Sequence, residues 1–303
     1  MDKISVVIST YNSEKELKDC LDSITWADEI VVVDDGSTDQ TVALAKKYTD
    51  HIFHHKSVGY VEPSRNFAIS KATGDWIFIV DADEVIPPTL AKKLRSLIEE
   101  QPVFTHVLLP RKNIIFGKWM QHTGWWPDHL IRFFKKGTVT WKNEIHSIPE
   151  VKGEGINLEG EANAIIHTQY QTVTQFLHKN LEHYAVQEAK EMQAKGYKFS
   201  YTDAIRFPSR EFLSRYFARE GYKDGFHGLV LSLLMAVYHF VIFLNLWEAK
   251  QFAPAERKEI EHAFKHEMRS TQKEFIYWFT KAKIDSAKNP LTKFALKVKR
   301  KLS

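Results

Sequence analysis

The sequence predicts an α/β fold, with a mostly parallel central sheet followed by a helical C-terminal region. Three observations carry this. Short, continuous apolar runs alternate with stretches of helical periodicity through the first hundred residues. Polar and acidic residues gather at the C-terminal ends of those runs. Beyond residue 165 the strand pattern gives way to long amphipathic segments. Apolar strands alternating with helices are crossover units, which build a parallel sheet covered on both faces.

The elements follow in order. Ile4 to Ile8 is the first apolar run, and Glu14 to Ile24 places Leu17, Cys20, Leu21 and Ile24 at helical spacing. Ile30 to Val33 is the second strand, Val42 to Tyr48 a helix, and His51 to Phe53 a short strand. Arg65 to Lys71 suits a helix, Trp76 to Val80 is another buried strand, and a helix runs from Pro88 to Glu100. With 303 residues, 44% of them hydrophobic and 26% charged, the chain is long enough for one large core or a domain with an appendage, and it is neither disordered nor a repeat array. Cys20 is the only cysteine, so no intrachain disulfide forms. The opening MDKISVVIST enters a strand within a few residues and has neither the apolar region nor the cleavage site of a signal peptide, which predicts a cytoplasmic protein.

In an open sheet of this kind ligands sit beyond the carboxyl ends of the strands. The first strand ends in Ser9, Thr10, Tyr11 and Asn12, and the second in Asp34, Asp35, Gly36, Ser37, Thr38 and Asp39. The fourth ends in "WIFIVDADE", where five apolar residues meet Asp81, Ala82, Asp83 and Glu84. Three carboxylates in four positions repel one another unless a cation joins them. A hard divalent ion such as Mg²⁺ or Mn²⁺ takes oxygen ligands of this kind, and one held by only one or two carboxylates keeps positions open for substrate phosphates. Neither a G-x-x-x-x-G-K-[ST] loop nor a G-x-G-x-x-G turn follows the first strand. The plain reading of the Asp34 to Ser37 stretch is a turn in which Ser37 or Thr38 caps a helix beginning near Gln40; it leaves two adjacent aspartates unexplained.

"VVISTYNSEKELKDCLDSI", then "EIVVVDDGSTDQT", then "PSRNFAISKATGDWIFIVDADE" resembles the N-terminal half of the inverting family 2 glycosyltransferases, whose nucleotide-sugar domain has the fold called GT-A. The resemblance is close over residues 1–100 and looser to 150. It implies that Thr10, Tyr11 and Asn12 lie against the base and ribose of a nucleotide, with Glu14 close behind. It further implies that Asp34 pairs with the base, that Asp35, Gly36 and Ser37 complete the turn beneath the nucleoside, and that Arg65 and Asn66 form a basic position near the nucleotide. Asp81, Ala82 and Asp83 match the D-x-D motif, with Asp83 as direct metal ligand and Asp81 facing the ribose and metal-bound water. Glu84 turns toward the next loop or supports the metal shell.

An inverting transfer also needs a base for the acceptor hydroxyl's proton. In "GWWPDHLIRFFKKGTVTWKNEIHSIPE", Asp128 stands four residues before Arg132 and resembles the family's catalytic acid at the start of a helix beneath the acceptor site, with Pro127 where glutamate is usual. Glu144 and His146 are the competing bases. "WKNEIHS" also resembles a segment of the bacterial lipopolysaccharide-core subset, which makes His146 a candidate for the metal or the diphosphate. Trp125 and Trp126 are either core or a stacking platform for a sugar ring.

Past residue 165 come "TVTQFLHKNLEHYAVQEAKEMQAKG" and "SREFLSRYFAREGYKDG", then Phe226 to Trp247, long enough to span a bilayer but diluted by His227, Ser232, His239 and Asn245. Three readings stay open for that stretch: a helix buried against the catalytic domain, a partner-helix surface, or an interfacial helix. Arg206, Arg210, Arg215, Arg219 and Lys223 before it, and the acid-free tail "KNPLTKFALKVKRKLS", favour anionic lipid nearby; a solvated flexible end is the bland reading of the tail.

The sequence therefore predicts a GT-A catalytic domain over 1–165, with a nucleotide-sugar half at 1–100 and an acceptor half at 101–165, and a membrane-associating helical region over 166–303. The expected activity is metal-dependent, inverting transfer of a hexose, read as glucose, from a UDP-sugar to a lipid-anchored surface-glycan acceptor such as lipopolysaccharide inner core. A polyprenyl-linked acceptor or polyprenyl phosphate is the alternative within the class. A sugar nucleotidyltransferase is the alternative outside it, and lacks the glycine-rich loop it needs after Ile8. The expected location is the cytoplasmic face of the inner membrane, bound peripherally, with no nucleic acid as partner.

Overall fold

The computed structural model describes residues 2–56, 62–100, 103–142 and 148–302. Strands and helices alternate as β1 (Ile4–Thr10), α1 (Leu17–Ser23), β2 (Glu29–Asp34), α2 (Thr41–Ala45), β3 (Ile52–His54), α3 (Glu62–Lys71), β4 (Trp76–Ile79), β5 (Glu84–Val85) and α4 (Pro88–Glu99). Eight further strands follow: β6 (His106–Leu109), β7 (Arg111–Ile115), β8 (Lys118–Trp119), β9 (Leu130–Lys135), β10 (Val139–Thr140), β11 (Glu150–Val151), β12 (Gly155–Asn157) and β13 (Ile165–Tyr170). The chain forms two compact units, one of Met1–Ile115 with Trp125–Gln169, the other of Phe116–Gly124 with Tyr170–Ser303.

In the first unit a seven-stranded sheet has the order β12, β6, β9, β4, β1, β2, β3. β4, β1, β2 and β3 are parallel, and β9 enters antiparallel between β4 and β6, so the sheet is mixed and mostly parallel. Period-two alternation sends Ile4, Val6 and Ile8 to one face with Leu21, Leu90 and Leu94, and Val7 to the other with Val31, Val33 and Ala68. Burial on both faces is why the strands read as unbroken apolar runs; each such side chain contributes about 1.5–3 kcal/mol. Trp76 stacks on Phe133 with ring centroids 5.0 Å apart, tying β4 to the antiparallel β9.

After β1 the chain builds outward through β2 and β3, then returns to the other side of β1 for β4. The strand order reverses there, and the carboxyl ends of β1 and β4 diverge into the crevice where open sheets bind ligands. In a smaller sheet β5, β13 and β7 lie side by side, with His167 of β13 opposite Glu84 of β5.

The second unit is helical. A Thr172–Gln175 capping box starts α5 (Val173–Leu177), which continues through wide π turns over His178–Tyr184 into α6 (Ala185–Ala194). α7 (Asp203–Leu213), α8 (Phe226–Glu248), α9 (Arg257–Ser286) and α10 (Pro290–Leu302) complete it. The segment 116–124 belongs here rather than to the contiguous acceptor half expected from the sequence. Buried Asp224 accepts from His122 N–H at 2.9 Å and the Thr123 hydroxyl at 3.1 Å, and its backbone oxygen takes Lys118 Nζ.

α8 is long and apolar enough to cross a membrane by length and composition. Leu231, Met235, Tyr238, Ile242 and Leu246 of α8 are buried, whereas Phe226, Leu233, Val237 and Phe240 form an exposed apolar stripe. Much of the basic cluster preceding it is paired within the unit: Arg206 with Asp203, Arg215 with Glu211, and Lys223 with Glu220.

Candidate functional site

The loops after β1 and β2 are fastened to each other. Asn12, in the left-handed region at φ 47°, donates its N–H to Ser37 Oγ at 2.9 Å and accepts from Thr38 N–H through Oδ1 at 2.8 Å. Glu14 accepts from Gln40 N–H at 3.0 Å. Thr10 is buried and Tyr11 beside it is exposed. Gly36, at φ +97°, makes the turn that an L side chain resists.

Two expectations about this turn change. Neither Ser37 nor Thr38 caps the following helix, whose N-cap is Gln40; Ser37 Oγ is engaged by Asn12, and Asp39, just ahead of the cap, accepts from Thr41 N–H at 3.0 Å. The Asp34 carboxylate faces inward and accepts from the N–H groups of Gly36 and Ser37, each at 3.2 Å, with His54 Nδ1 also at 3.2 Å. Asp35 is the less enclosed of the two, paired with His55 Nδ1 at 3.2 Å. Burial pushes the Asp35 carboxyl above its ordinary range against the opposing bonds from Ser64 and His55.

Beyond β4, Asp81 meets two guanidinium groups. Arg65 Nη2 lies 3.0 Å from Oδ1, and Arg132 grips both carboxylate oxygens. Burial alone would raise the Asp81 pKa, but Arg132 and Arg65 hold it well below the usual carboxylate range. The buried Nε atoms of Arg65 and Arg132 find no hydrogen-bond partner among the described residues, which suits a site awaiting an anion. Asn66, next to Arg65, is fully engaged elsewhere: its amide exchanges two bonds with the Trp141 backbone, at 2.8 and 3.1 Å.

Glu84 does not turn away to a loop. It is fully buried, accepts from Asp81 N–H at 2.9 Å, and lies between Arg132 Nη2 at 3.3 Å and Arg111 Nη1 at 3.6 Å. Arg111 in turn holds Asp128. An alternating row of charges, Asp81, Arg132, Glu84, Arg111 and Asp128, thus crosses the unit.

Asp128 does not begin a helix. It sits at φ 46° just ahead of strand β9, after the cis Trp126–Pro127 bond. Its Oδ2 accepts from Arg111 Nε and Nη2 and from Asn113 Nδ2 at 2.9 Å, while Oδ1 has no hydrogen-bond partner among the described residues. Burial works to raise its pKa, but Arg111 and Asn113 prevail and lower it. Trp125 and Trp126 are both half-buried.

A histidine does stand beside Asp83, but it is His167: Nε2 lies 3.4 Å from Asp83 Oδ2. Asn113 Nδ2 donates to Trp125 O and Asp128, so its Oδ1 faces His167 Nδ1 at 2.7 Å and requires the proton there. Nε2 therefore turns its lone pair, or a second proton, toward Asp83. Asp83 Oδ2 is the kind of oxygen donor that Mn²⁺ or Mg²⁺ takes, and His167 Nε2 beside it would be a second ligand, with phosphate oxygens completing the shell. Among the described residues no three histidine, cysteine, aspartate or glutamate side chains gather to hold a metal ion without such help. Glu144 and His146 lie outside the described residues.

Residues 5–150 match the family described as Glycosyl transferase family 2. Those residues form a family 2 glycosyltransferase domain. Relatives that match along most of their length include an uncharacterized glycosyltransferase of Rickettsia typhi, 27% identical over 86% of this chain and 91% of that protein, and the lipopolysaccharide core biosynthesis glycosyltransferase LpsC of Rhizobium meliloti, 24% identical over 87% and 98%. A crystal structure of S. aureus TarS is similar over 79% of this chain and 55% of that one, with 18% identity and a TM-score of 0.42.

The candidate site brings together residues that the sequence did not single out. Arg132 was visible only as a spacing mark for Asp128, and Arg111, Asn113 and His167 carried no local signal. His167 is the polar member of "AIIHTQY", which reads as an ordinary strand until its register against Glu84 is known.

Proposed function

We propose that this glycosyltransferase transfers a hexose, with inversion, from a UDP-sugar to a lipid-anchored saccharide such as lipopolysaccharide inner core. The observation that carries the reading is the pairing of Asp83 with His167 beside the Arg65 and Arg132 guanidiniums, at the crevice between β1 and β4. That combination fits a metal–diphosphate: two ligands for a divalent ion, and arginine donors for the phosphate oxygens. A bound Mg²⁺ or Mn²⁺ would supply charge stabilisation to the departing nucleoside diphosphate.

The chain's own residues have distinct tasks in this reading. Thr10, Tyr11, Asn12 and the Asp35–Gly36–Ser37 turn border the nucleoside. Asp35 takes the base contact that the resemblance assigns to Asp34, because the Asp34 carboxylate is committed to the turn itself. Arg65 and Arg132 leave Asp81 in part to meet the diphosphate, whose charge exceeds that of one carboxylate. Asp128 accepts the acceptor hydroxyl's proton on Oδ1 as the hydroxyl oxygen attacks the anomeric carbon from the face opposite the leaving nucleoside diphosphate; Arg111 and Asn113 fix the carboxylate by its other oxygen. The unit of 1–115 with 125–169 is the catalytic domain, and the helical unit of 116–124 with 170–303 brings it to the inner-membrane surface where the acceptor is anchored. The similarity to the lipopolysaccharide core biosynthesis glycosyltransferase LpsC of Rhizobium meliloti supports a lipopolysaccharide-core acceptor.

The test is UDP release from a panel of UDP-sugars with membrane extract and Mn²⁺, for wild type and Asp83→Ala. Metal-dependent release that Asp83→Ala abolishes is expected; no release with any donor would sink the reading.

A further inference from the structure

The sequence from 287 to 303 carries six basic residues and no acid, and most of it folds as α10. Apolar residues recur in it at helical spacing, at Leu291, Phe294, Val298 and Leu302. Leu291 is 78% exposed and Phe294 68%, and neither is packed away by the helices around it. Lys293 and Lys297 have no carboxylate partner among the described residues.

Other exposed apolar faces in this unit lack that combination. The α8 stripe carries no charge, and α9 interleaves acids with its bases. The arginines ahead of α8 that the sequence offered as lipid contacts are partly neutralised by Asp203 and Glu211. A second copy of the chain would bring like charge to like charge at α10, and a nucleic acid would leave Leu291 and Phe294 in water. An anionic bilayer satisfies both halves of the helix: apolar side chains enter the acyl boundary while lysines stay among the headgroups.

We propose that α10 docks this chain on an anionic lipid surface as an interfacial helix lying in the membrane plane. At 13 residues it is about 20 Å long, too short to span. The proposal rests on the reading above that the acceptor is anchored in lipid, and supplies the contact that brings the enzyme to it.

The test is co-sedimentation of the full chain with vesicles of phosphatidylglycerol and phosphatidylcholine, against phosphatidylcholine alone. Wild type partitions about tenfold or more in favour of the anionic vesicles, and loses most of that preference in about 0.5 M salt. Phe294→Glu weakens binding about tenfold or more, and Lys293→Glu with Lys297→Glu removes the anionic preference, both with unchanged circular dichroism. Equal partition of the wild type, or variants that bind like it, overturns the proposal. So does a dimer in sedimentation velocity that Phe294→Glu dissociates in the absence of vesicle binding, since the face then belongs to a second copy. UDP release in vesicle-free buffer is followed in parallel: its absence sinks the transferase reading alone, and its persistence without vesicle binding sinks the docking alone.

Discussion

Arg111 holds Asp128 from two nitrogens, Nε at 2.9 Å and Nη2 at 2.7 Å, and both bonds land on the same oxygen, Oδ2. One carboxylate oxygen is thereby fixed, and in the proposed reaction it is the other that accepts the proton. The guanidinium also stabilises the anion, so Asp128 stays ionised to lower pH than an ordinary aspartate. Asp128→Asn should lower kcat by about 10²–10⁴-fold while binding donor normally. Near-normal turnover in Asp128→Asn, with a loss in Glu144→Gln, would move the base to Glu144.

Removing the guanidinium separates positioning from folding. In Arg111→Met the Asp128 pKa rises, so the acid limb of the kcat/KM profile shifts to higher pH, in the direction opposite to the present depression. A uniform drop in activity with an unmoved profile would mean that Arg111 serves the fold only.

His167 lies 3.4 Å from Asp83 and is oriented by Asn113. His167→Ala should raise the Mn²⁺ concentration needed for half-maximal UDP release by about 10–100-fold, and Asn113→Ala should do so more weakly, as for a group that orients a ligand. Titration of Mn²⁺ against UDP release at saturating donor is the measurement. An unchanged metal requirement in His167→Ala removes it from the metal site.

Arg132 is buried between Asp81 and Glu84, so Arg132→Ala leaves Asp81 with Arg65 alone and Glu84 with the more distant Arg111 alone, and should cost up to about 3–5 kcal/mol in denaturant unfolding. The same pairing sets an acid limit. Asp81 has a folded-state pKa below its unfolded value, so its contribution is complete above about pH 4 and is lost as pH falls through the depressed value. Wild-type stability should therefore fall steeply below pH 4, and less steeply in Asp81→Asn. Equal slopes in the two proteins would refute the linkage.

The adjacent acids of the β2 turn separate by role. Asp34→Ala strips the acceptor from Gly36 and Ser37 N–H and should destabilise the fold by about 1–3 kcal/mol. Asp35→Ala should instead raise KM for the UDP-sugar with little loss of stability. Isothermal titration with UDP and thermal unfolding of both variants decide between the two, and the reverse pattern would return the base contact to Asp34.

The alternation from β1 to α4 was legible in the sequence because burial on both faces of a parallel sheet writes itself as unbroken apolar runs, and each run ends where the chain turns polar. For the same reason Thr10, Asp34, Asp35, Asp81 and Asp83 could be named as a group: strand ends are local in sequence. What those acids touch was decided only in three dimensions. Asp81 is met by Arg65 from α3 and Arg132 from β9, sixteen and fifty-one residues away, and Asp83 by His167 from β13. The antiparallel entry of β9 made Asp128 the lead-in to a strand rather than a helix, and the register of β13 against β5 brought His167 to the acids. Hydrophobic period records which face of an element is buried; it carries no record of which distant element supplies the opposite charge. That pairing depends on strand order and register, which only the folded chain possesses.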